Sequence, residues 1–293
     1  MKKIIIGIVL FLAIVLSYAW FSKDNLIRFY QNFNGSVLQL STIDLKKAGE
    51  NFQSSILAPT PLRVFTKENQ AVLVKEKVIA QTNIARFDNG MLPPLTENEV
   101  LDKVALKKAQ DMFSKQYFEH VSPDGIGPGD LASGEGYKYI VEGENLILGN
   151  FKDEKEMLDL WMNSPGHRAN ILHEQFSEIG VAVIKGQYQG ETVWIGVQEF
   201  GSPLSLCQEP DTITRDKITT DKHQLDDLAK LLDAKKVEID NTSQATQRYN
   251  ILVDEYNALA KKYNEINQQT KKIIAEYNMQ IDAFNQCVAE HSK

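Results

Sequence analysis

The histidine with the most distinctive surroundings is His167, which lies in NSPGHRANIL at residues 163–172. Ser164 is a favoured helix N-cap and Pro165 a favoured first helical residue, so a short helix is expected to begin there with His167 in its first turn. The positive end of a helix disfavours an imidazolium, which keeps the ring neutral and able to bind a metal or accept a proton. A hydrogen bond from His167 to a loop carbonyl would also account for this residue.

Three other residues of the right type occur elsewhere in the chain. His120 lies near the start of a glycine- and proline-rich stretch at residues 117–137, Glu144 lies in GENL, and Glu199 follows Gln198 near the end of the last predicted strand. Two imidazoles with one or two carboxylates suit a zinc site with an open position, or an acid–base pair for hydrolysis. Spacing alone does not bring them together, because they form no local HExxH motif.

The elements that would position these residues are helices followed by strands. Apolar residues three and four apart predict helices over 66–88, over 96–116, where Thr96 and Glu99 form a capping box, and around 157–161. Two runs of β-branched and aromatic residues, 178–184 and 191–200, flank KGQYQG and predict an antiparallel hairpin. The expected domain is therefore mixed, with helices first and sheet last.

The N-terminal sequence predicts that the chain is exported from the cytoplasm. Two lysines precede eighteen uncharged residues, 4–21, which as a helix would span roughly 27 Å, close to the hydrocarbon thickness of a bilayer. Residues 1–22 are read either as a retained transmembrane anchor or as a signal peptide cleaved after the small-x-small sequence at 17–19. Residues 23–65, which end in LAPTPLRV, are expected to form a stalk or linker.

The composition of the chain narrows the classes of molecule that it could bind. The chain has 293 residues, a net charge of -7 and lysines scattered throughout, so no basic face points to nucleic acid. Its two cysteines, Cys207 and Cys287, lie far apart in sequence. In an exported protein they predict one disulfide, and no cysteine nucleophile is indicated.

The C-terminal region, residues 204–293, carries a seven-residue repeat. One position of the repeat is mostly aromatic: Tyr249, Tyr256, Tyr263, Thr270, Tyr277 and Phe284. A second position is expected three residues later: Leu252, Leu259, Ile266, Ile273, Gln280 and Cys287. The pattern is typical of a coiled-coil seam. It fits an antiparallel helical hairpin stapled by the disulfide, or one long helix that self-associates.

Five ordered motifs carry a resemblance to a known family: YFEHVSPDG, VEGENL, WMNSPGHRANIL, EIGVAV and WIGVQEFG. Residues 66–203 resemble the CAP superfamily, the SCP-like extracellular domain of cysteine-rich secretory proteins, antigen 5 and plant pathogenesis-related proteins, in its short bacterial form. The resemblance implies an α+β fold, an α-β-α sandwich, with a cleft at which His120, Glu144 and His167 converge. In several family members that cleft takes a divalent metal, often zinc.

The chain departs from the family pattern in two ways. Eukaryotic relatives usually place a second acidic residue just after the counterpart of Trp161, where this chain has Met162-Asn163-Ser164. A four-residue site then requires Glu199 or Glu119 as the substitute. The family's disulfides are also absent from residues 66–203, so the domain must depend on its core.

Three functions are compatible with these features. The first is an anchored or secreted binding module whose cleft holds a divalent metal, a lipid or a cell-wall fragment without turning it over, and no catalytic residue is assigned. The second is a metal-dependent hydrolase acting on peptide or cell-wall material. The third is a structural or adhesive protein whose helical region is the functional surface.

Overall fold

A computed structural model of the chain describes residues 45–47, 54–64 and 71–292. The predicted anchor over 1–22 lies outside the described residues. Within the described ranges, no helix is both long enough and apolar enough to cross a membrane.

Six strands form one sheet: β1 (Ser55–Leu57), β2 (Leu62–Val64), β3 (Thr96–Glu97), β4 (Tyr139–Gly149), β5 (Glu178–Tyr188) and β6 (Glu191–Pro203). Strands β4, β6 and β5 are antiparallel neighbours, with β6 in the centre. Short parallel strands complete the edges: β1 and β2 both pair with β4, and β3 pairs with β5. The predicted β5–β6 hairpin is present, whereas β4 and the short strands were not predicted.

The described helices are α1 (Lys75–Asp88), α2 (Glu99–Lys115), α3 (Pro128–Gly134), α4 (Glu154–Asn163), α5 (Pro165–Ile171), α6 (Thr212–Asp240) and α7 (Gln247–His291). Helix α1 begins at Lys75 and residues 71–74 before it are not helical, whereas the predicted start at Thr66 lies outside the described residues. The expected capping box of α2 is wrong, because Thr96 belongs to β3 and pairs with Glu178. Asn98 caps α2 instead, and its side chain accepts the N–H of Val100 at 2.8 Å.

The sheet is buried on both faces because its strands alternate between two apolar clusters. On one face Leu146 and Ile195 pack with Ala109 of α2. On the other face Ile147 packs with Trp161 of α4, in a cluster that also includes apolar residues of α1 and α5. Consecutive strand residues point to opposite faces, which places the helices in two layers. The α-β-α sandwich predicted from the sequence is confirmed.

The boundaries of this unit differ from those expected at 66 and 203. Among the described residues it comprises 54–64, 71–209 and 282–292. Residues 54–64, expected to be stalk, supply two strands to the sheet, since backbone pairing with β4 satisfies donors and acceptors that a free linker would leave to water. The end of α7 belongs to the same unit because Phe284 and Val288 are buried in the sandwich core.

The second unit contains α6 and the first part of α7, which form a helical hairpin. Leu225 and Leu232 pack with Tyr256 and Tyr263 in one buried cluster. The aromatic seam position is buried as predicted from Tyr256 onward, but the second position lies four residues after it, not three. The buried residues at that position are Ala260, Asn267, Ile274, Ile281 and Val288. Self-association of the helices in trans stays a prediction.

Arg86 generates the first stability prediction. Its guanidinium is fully buried and donates to the backbone carbonyls of Pro93, Ile171, His173 and Phe176 at 3.0, 2.8, 2.9 and 3.4 Å, respectively. Arg86→Ala leaves these carbonyls without their donor, so we expect the free energy of unfolding to fall by about 3 kcal/mol in denaturant titrations.

The control for Arg86 is Arg168→Ala, because Arg168 is exposed and donates to Asn89 at the surface. We expect a loss of under about 0.5 kcal/mol there. Equal losses in the two variants would contradict a special role for the buried guanidinium.

The predicted disulfide joins Cys207 to Cys287, 80 residues apart in sequence. Because it closes a long loop, replacing both cysteines with serine should lower the free energy of unfolding by about 2–4 kcal/mol. Unfolding of the wild type with and without a reductant measures the same effect, and the serine variant should not respond to the reductant. A reductant-sensitive serine variant would contradict this assignment.

Candidate functional site

His120 is held where the loop after α2 meets β4. The carbonyl of His120 accepts a hydrogen bond from the buried Lys108 of α2. Nδ1 of the His120 ring lies 2.5 Å from Oε1 of Glu144, and Nε2 of the same ring donates to the carbonyl of Pro59. Both ring nitrogens therefore have an oxygen partner, which suits a doubly protonated imidazolium.

The pKa of His120 reflects two opposing effects. Burial lowers it, since the side chain is only 12% exposed. The hydrogen bond and charge of Glu144, with a smaller contribution from the Pro59 carbonyl, outweigh burial and raise the pKa above its usual value. In this arrangement His120 is the cationic partner of a buried carboxylate.

His167 lies in the first turn of α5, as the sequence predicted, but its neighbour behaves differently. Ser164 occupies the N-cap position without making a capping hydrogen bond. Its Oγ lies instead 2.7 Å from Nδ1 of His167. Nε2 of His167 is buried and has no hydrogen-bond partner among the described residues. The ring thus presents one unused nitrogen.

His167 and His120 lie near enough to affect each other. Burial is the main cause that lowers the pKa of His167 to about 4; the charge of His120 also lowers it, and an interaction with the backbone of Leu146 opposes the shift. The pKa of His120 is therefore raised while that of His167 is lowered, so the two histidines of one site are shifted in opposite directions.

Amides on the opposite face of β4 fix α5 against the strand. Asn145 donates to the carbonyl of His167 at 3.1 Å. Asn170 donates to the carbonyl of Glu144 at 3.3 Å and to the side-chain oxygen of Asn145 at 3.0 Å. Because these groups are buried, the bonds determine the position of His167 relative to Glu144.

Glu199, the additional ligand considered from the sequence, lies on β6 directly across from Glu144. The structure adds Glu142, which sequence reasoning missed although it shares a strand face with Glu144 two residues away. All three carboxyl groups are fully buried. The oxygens of Glu142 and Glu199 have no donor from other side chains or the backbone in the described ranges. A proton on one of the three carboxyl groups is therefore the donor available to these oxygens.

The protonation of these carboxyl groups follows from their burial. Burial raises the pKa of Glu142 to about 8. Burial also raises the pKa of Glu199 well above its usual value, and the charges of Glu144 and Glu142 raise it further. Glu199 is therefore a neutral carboxylic acid beside the His120–Glu144 pair.

The site predicted from the sequence is only partly assembled. His120 and Glu144 are in contact, and His167 is their neighbour. In the part of the chain that the structure describes, the group of three potential ligands whose atoms lie within 4.8 Å of one another is Cys207, Cys287 and His291. Those cysteines form the disulfide, so their sulfurs are not thiolate ligands.

The protonation of Glu142 can be tested by the pH dependence of stability. The unfolded chain releases this proton near pH 4.5, whereas the folded chain keeps it to about pH 8. Wild-type stability contributed by this group is therefore present below pH 4.5 and lost as the pH rises to 8. Glu142→Gln should escape that loss, so its free energy of unfolding should exceed that of the wild type by about 4 kcal/mol more at pH 8 than at pH 4.5.

Denaturant titrations of both proteins at the two pH values measure this difference. Glu191→Gln is the control, because Glu191 is exposed, and its free energy of unfolding relative to the wild type should be the same at both pH values. A Glu142→Gln difference that is the same at both pH values would show that the carboxyl group is not protonated by burial.

Comparisons with known proteins agree with the motifs. Residues 79–200 match the model of the CAP family, described as the cysteine-rich secretory protein family. YkwD of Bacillus subtilis (strain 168) is 41% identical over 126 residues, which is 43% of this chain and 46% of that protein. The membrane protein YlbC of the same organism is 28% identical over 114 residues, or 39% of this chain and 32% of that protein. Both matches cover less than half of the relative.

Solved structures give matches over the same share of the chain. An extracellular SCP-domain protein from Bacillus anthracis is 32% identical, with a TM-score of 0.37 over 43% of this chain and 39% of that one. An outer surface protein from Borrelia burgdorferi is 19% identical, with a TM-score of 0.37 over 44% of this chain and 91% of that one. The match to the family model and the 41% identity to YkwD identify residues 79–200 as a CAP domain.

Proposed function

We propose that this chain is an exported, non-enzymatic binding module whose cleft, formed by His120, Glu144 and His167, takes a divalent cation or a small ligand of the cell envelope. The observation that carries the proposal is Nε2 of His167, which is buried and has no hydrogen-bond partner among the described residues, on a ring close enough to His120 for the charge of His120 to lower its pKa. A buried polar atom without a partner costs free energy that a bound ligand would recover.

The chemical types of the donor groups suit a borderline metal such as zinc. Imidazole and carboxylate are both common zinc ligands. A neutral His167 that donates Nδ1–H to Ser164 keeps the lone pair on Nε2, and Oε2 of Glu144 is buried without a partner in the described ranges. A bound cation would supply positive charge against the buried carboxyl groups. His120 would contribute only after one of its two oxygen partners has moved away.

The surroundings of Ser164, whose hydroxyl group contacts His167, favour ligand binding over hydrolysis. Ser164 touches Nδ1 of His167, but within the described residues no carboxylate is hydrogen-bonded to Nε2 to orient the ring as a base. A histidine that activates a nucleophile normally has such an orienting partner. His120 bonds to Glu144 and Pro59, and neither is a nucleophile in this geometry.

Export is supported by features at both ends of the chain. Residues 4–21 form an uncharged run of membrane-spanning length. The Cys207–Cys287 disulfide belongs in an oxidising compartment. Among similar proteins, the one from Bacillus anthracis is described as extracellular and YlbC as a membrane protein. We therefore place the CAP domain outside the cytoplasm, anchored or released.

A zinc titration of the full chain tests the proposed site. We expect calorimetry under non-reducing conditions to detect one bound zinc ion per chain. His167→Ala should weaken binding at least tenfold, because it removes the free imidazole nitrogen. The matched control is His223→Ala, which removes an exposed histidine on α6 and should leave binding unchanged.

A second control guards against binding at the C-terminus, where His291 lies near the cysteines. His291→Ala should retain the zinc affinity of the wild type. Binding that is lost in His291→Ala but kept in His167→Ala would move the metal to the C-terminus and overturn the proposed cleft. No heat of binding in the wild type would exclude zinc as its ligand.

A further inference from the structure

Residues 54–64, here called the strap, lie along the outer edge of β4. They pair with it in two parallel segments, Ser55–Leu57 against residues 141–143 and Leu62–Val64 against residues 147–149. Between the segments the strap advances five residues while β4 advances four. The extra residue makes the centre of the strap bulge away from the edge of the strand.

The bulge places a backbone oxygen on the candidate site. The carbonyl of Pro59 accepts the hydrogen bond from Nε2 of His120. Just before the bulge, the carbonyl of Leu57 accepts a hydrogen bond from Asn170 at 3.0 Å. Pro59 and Pro61 have no N–H, so two of the residues in the bulge leave no backbone donor without a partner.

The surface beneath the strap fits a chain that passes closely over it. A Cβ at Gly166 would lie 2.6 Å from Cβ of Pro59, which is too short for carbon atoms that are not bonded. A Cβ at Gly129 would collide first with the hydroxyl group of Tyr139 on β4 and would also lie 2.6 Å from Cδ1 of Ile56. Glycine at 166 therefore opens the path of the strap, whereas glycine at 129 leaves room for both Tyr139 and the strap.

Arg63 holds the far end of the strap. Its guanidinium lies 5.2 Å from the ring centre of Phe118 and 5.8 Å from that of Tyr188. It also donates to the carbonyl of Phe118 and the hydroxyl of Tyr188, both at 3.4 Å, and lies 3.9 Å from Glu119. A cation at this position of a bound segment is thus recognised by aromatic, polar and acidic groups together.

The strap lies at the surface, whereas strand β4, which it covers, is buried. None of its eleven residues is buried, whereas β4 is buried continuously from Ile140 to Gly149. The strap is therefore held largely by backbone pairing and by a few side-chain contacts. Extended peptides bind to sheet edges in the same way, with backbone hydrogen bonds for affinity and side-chain positions for specificity.

We propose that the outer edge of β4 beside His120 is a binding groove for an extended, proline-centred peptide of a partner protein, and that the strap is its built-in occupant. The peptide adds a parallel strand, places a proline carbonyl on His120 and places a basic residue between Phe118 and Tyr188. While the strap is in place the groove is closed to other peptides. This inference rests on strand pairing and does not depend on metal binding.

The test uses a labelled peptide with the sequence of residues 54–64, SSILAPTPLRV, and measures its binding to the full chain by fluorescence anisotropy. In the wild type the strap competes as a tethered ligand, with an effective concentration on the order of millimolar. Leu57→Asp combined with Leu62→Asp weakens the strap, because both leucines contact the sandwich core. We expect this strap variant to bind the peptide at least tenfold more tightly than the wild type.

Two further substitutions in the strap variant test whether the peptide binds in the groove. Gly166→Ala should weaken binding at least tenfold, because its Cβ would collide with the proline. Gly134→Ala is the matched control, since a Cβ there has no neighbour within 4 Å, and it should leave binding unchanged. A peptide of the same composition in reversed order should not bind.

A measurement on the wild type keeps the proposal testable if the strap variant misfolds. With several millimolar peptide, amide hydrogen exchange within residues 54–64 should speed up severalfold while exchange in β5 and β6 is unchanged. Unchanged strap exchange, or a folded strap variant that does not bind the peptide, would overturn the proposal. A mixed dimer of strap variant and wild type without peptide binding would assign the groove to a second copy and also overturn it.

Discussion

Burial of three carboxyl groups on neighbouring strands is the constraint on which the site depends. Glu142, Glu144 and Glu199 lie where water cannot reach them, and an ionised carboxylate there requires a compensating charge. His120 supplies that charge to Glu144, and Lys108 holds the His120 backbone in place. The other two carboxyl groups respond by keeping their protons. The sheet therefore determines the charge state of the cleft before any ligand arrives.

The fold was largely accessible from the sequence because its signals are local. The period of the apolar residues identified the helices of the sandwich, and the two β-rich runs around KGQYQG identified the β5–β6 hairpin. The resemblance to the CAP family supplied the layer arrangement, which periodicity alone could not. The predicted positions of the helix ends were less accurate. The sequence predicts a helix start at Thr96 because threonine is typical both of a capping box and of a short strand, and the structure has the strand.

The missed features depend on contacts between distant residues. Strand β4 reads as a continuous run containing polar residues, and neither its pairing nor the burial of Glu142 can be inferred without knowing that both faces are covered. The sequence of the strap predicts a stalk because proline-rich segments usually extend into solvent, whereas its pairing partner lies about 85 residues further along. The shift of the helical seam reflects which side of α7 meets α6, which a seven-residue period leaves open.

The disulfide has a mechanical consequence for the helical hairpin. Cys207 and Cys287 lie on either side of it, so a tension applied along the backbone passes through the sulfur–sulfur bond and not through α6 or the first part of α7. The hairpin therefore carries no load while the bond is intact. Cleavage in the turn at residues 241–246 would likewise leave both halves covalently attached to the CAP domain. The hairpin can bend, open or be cut without breaking the chain in two.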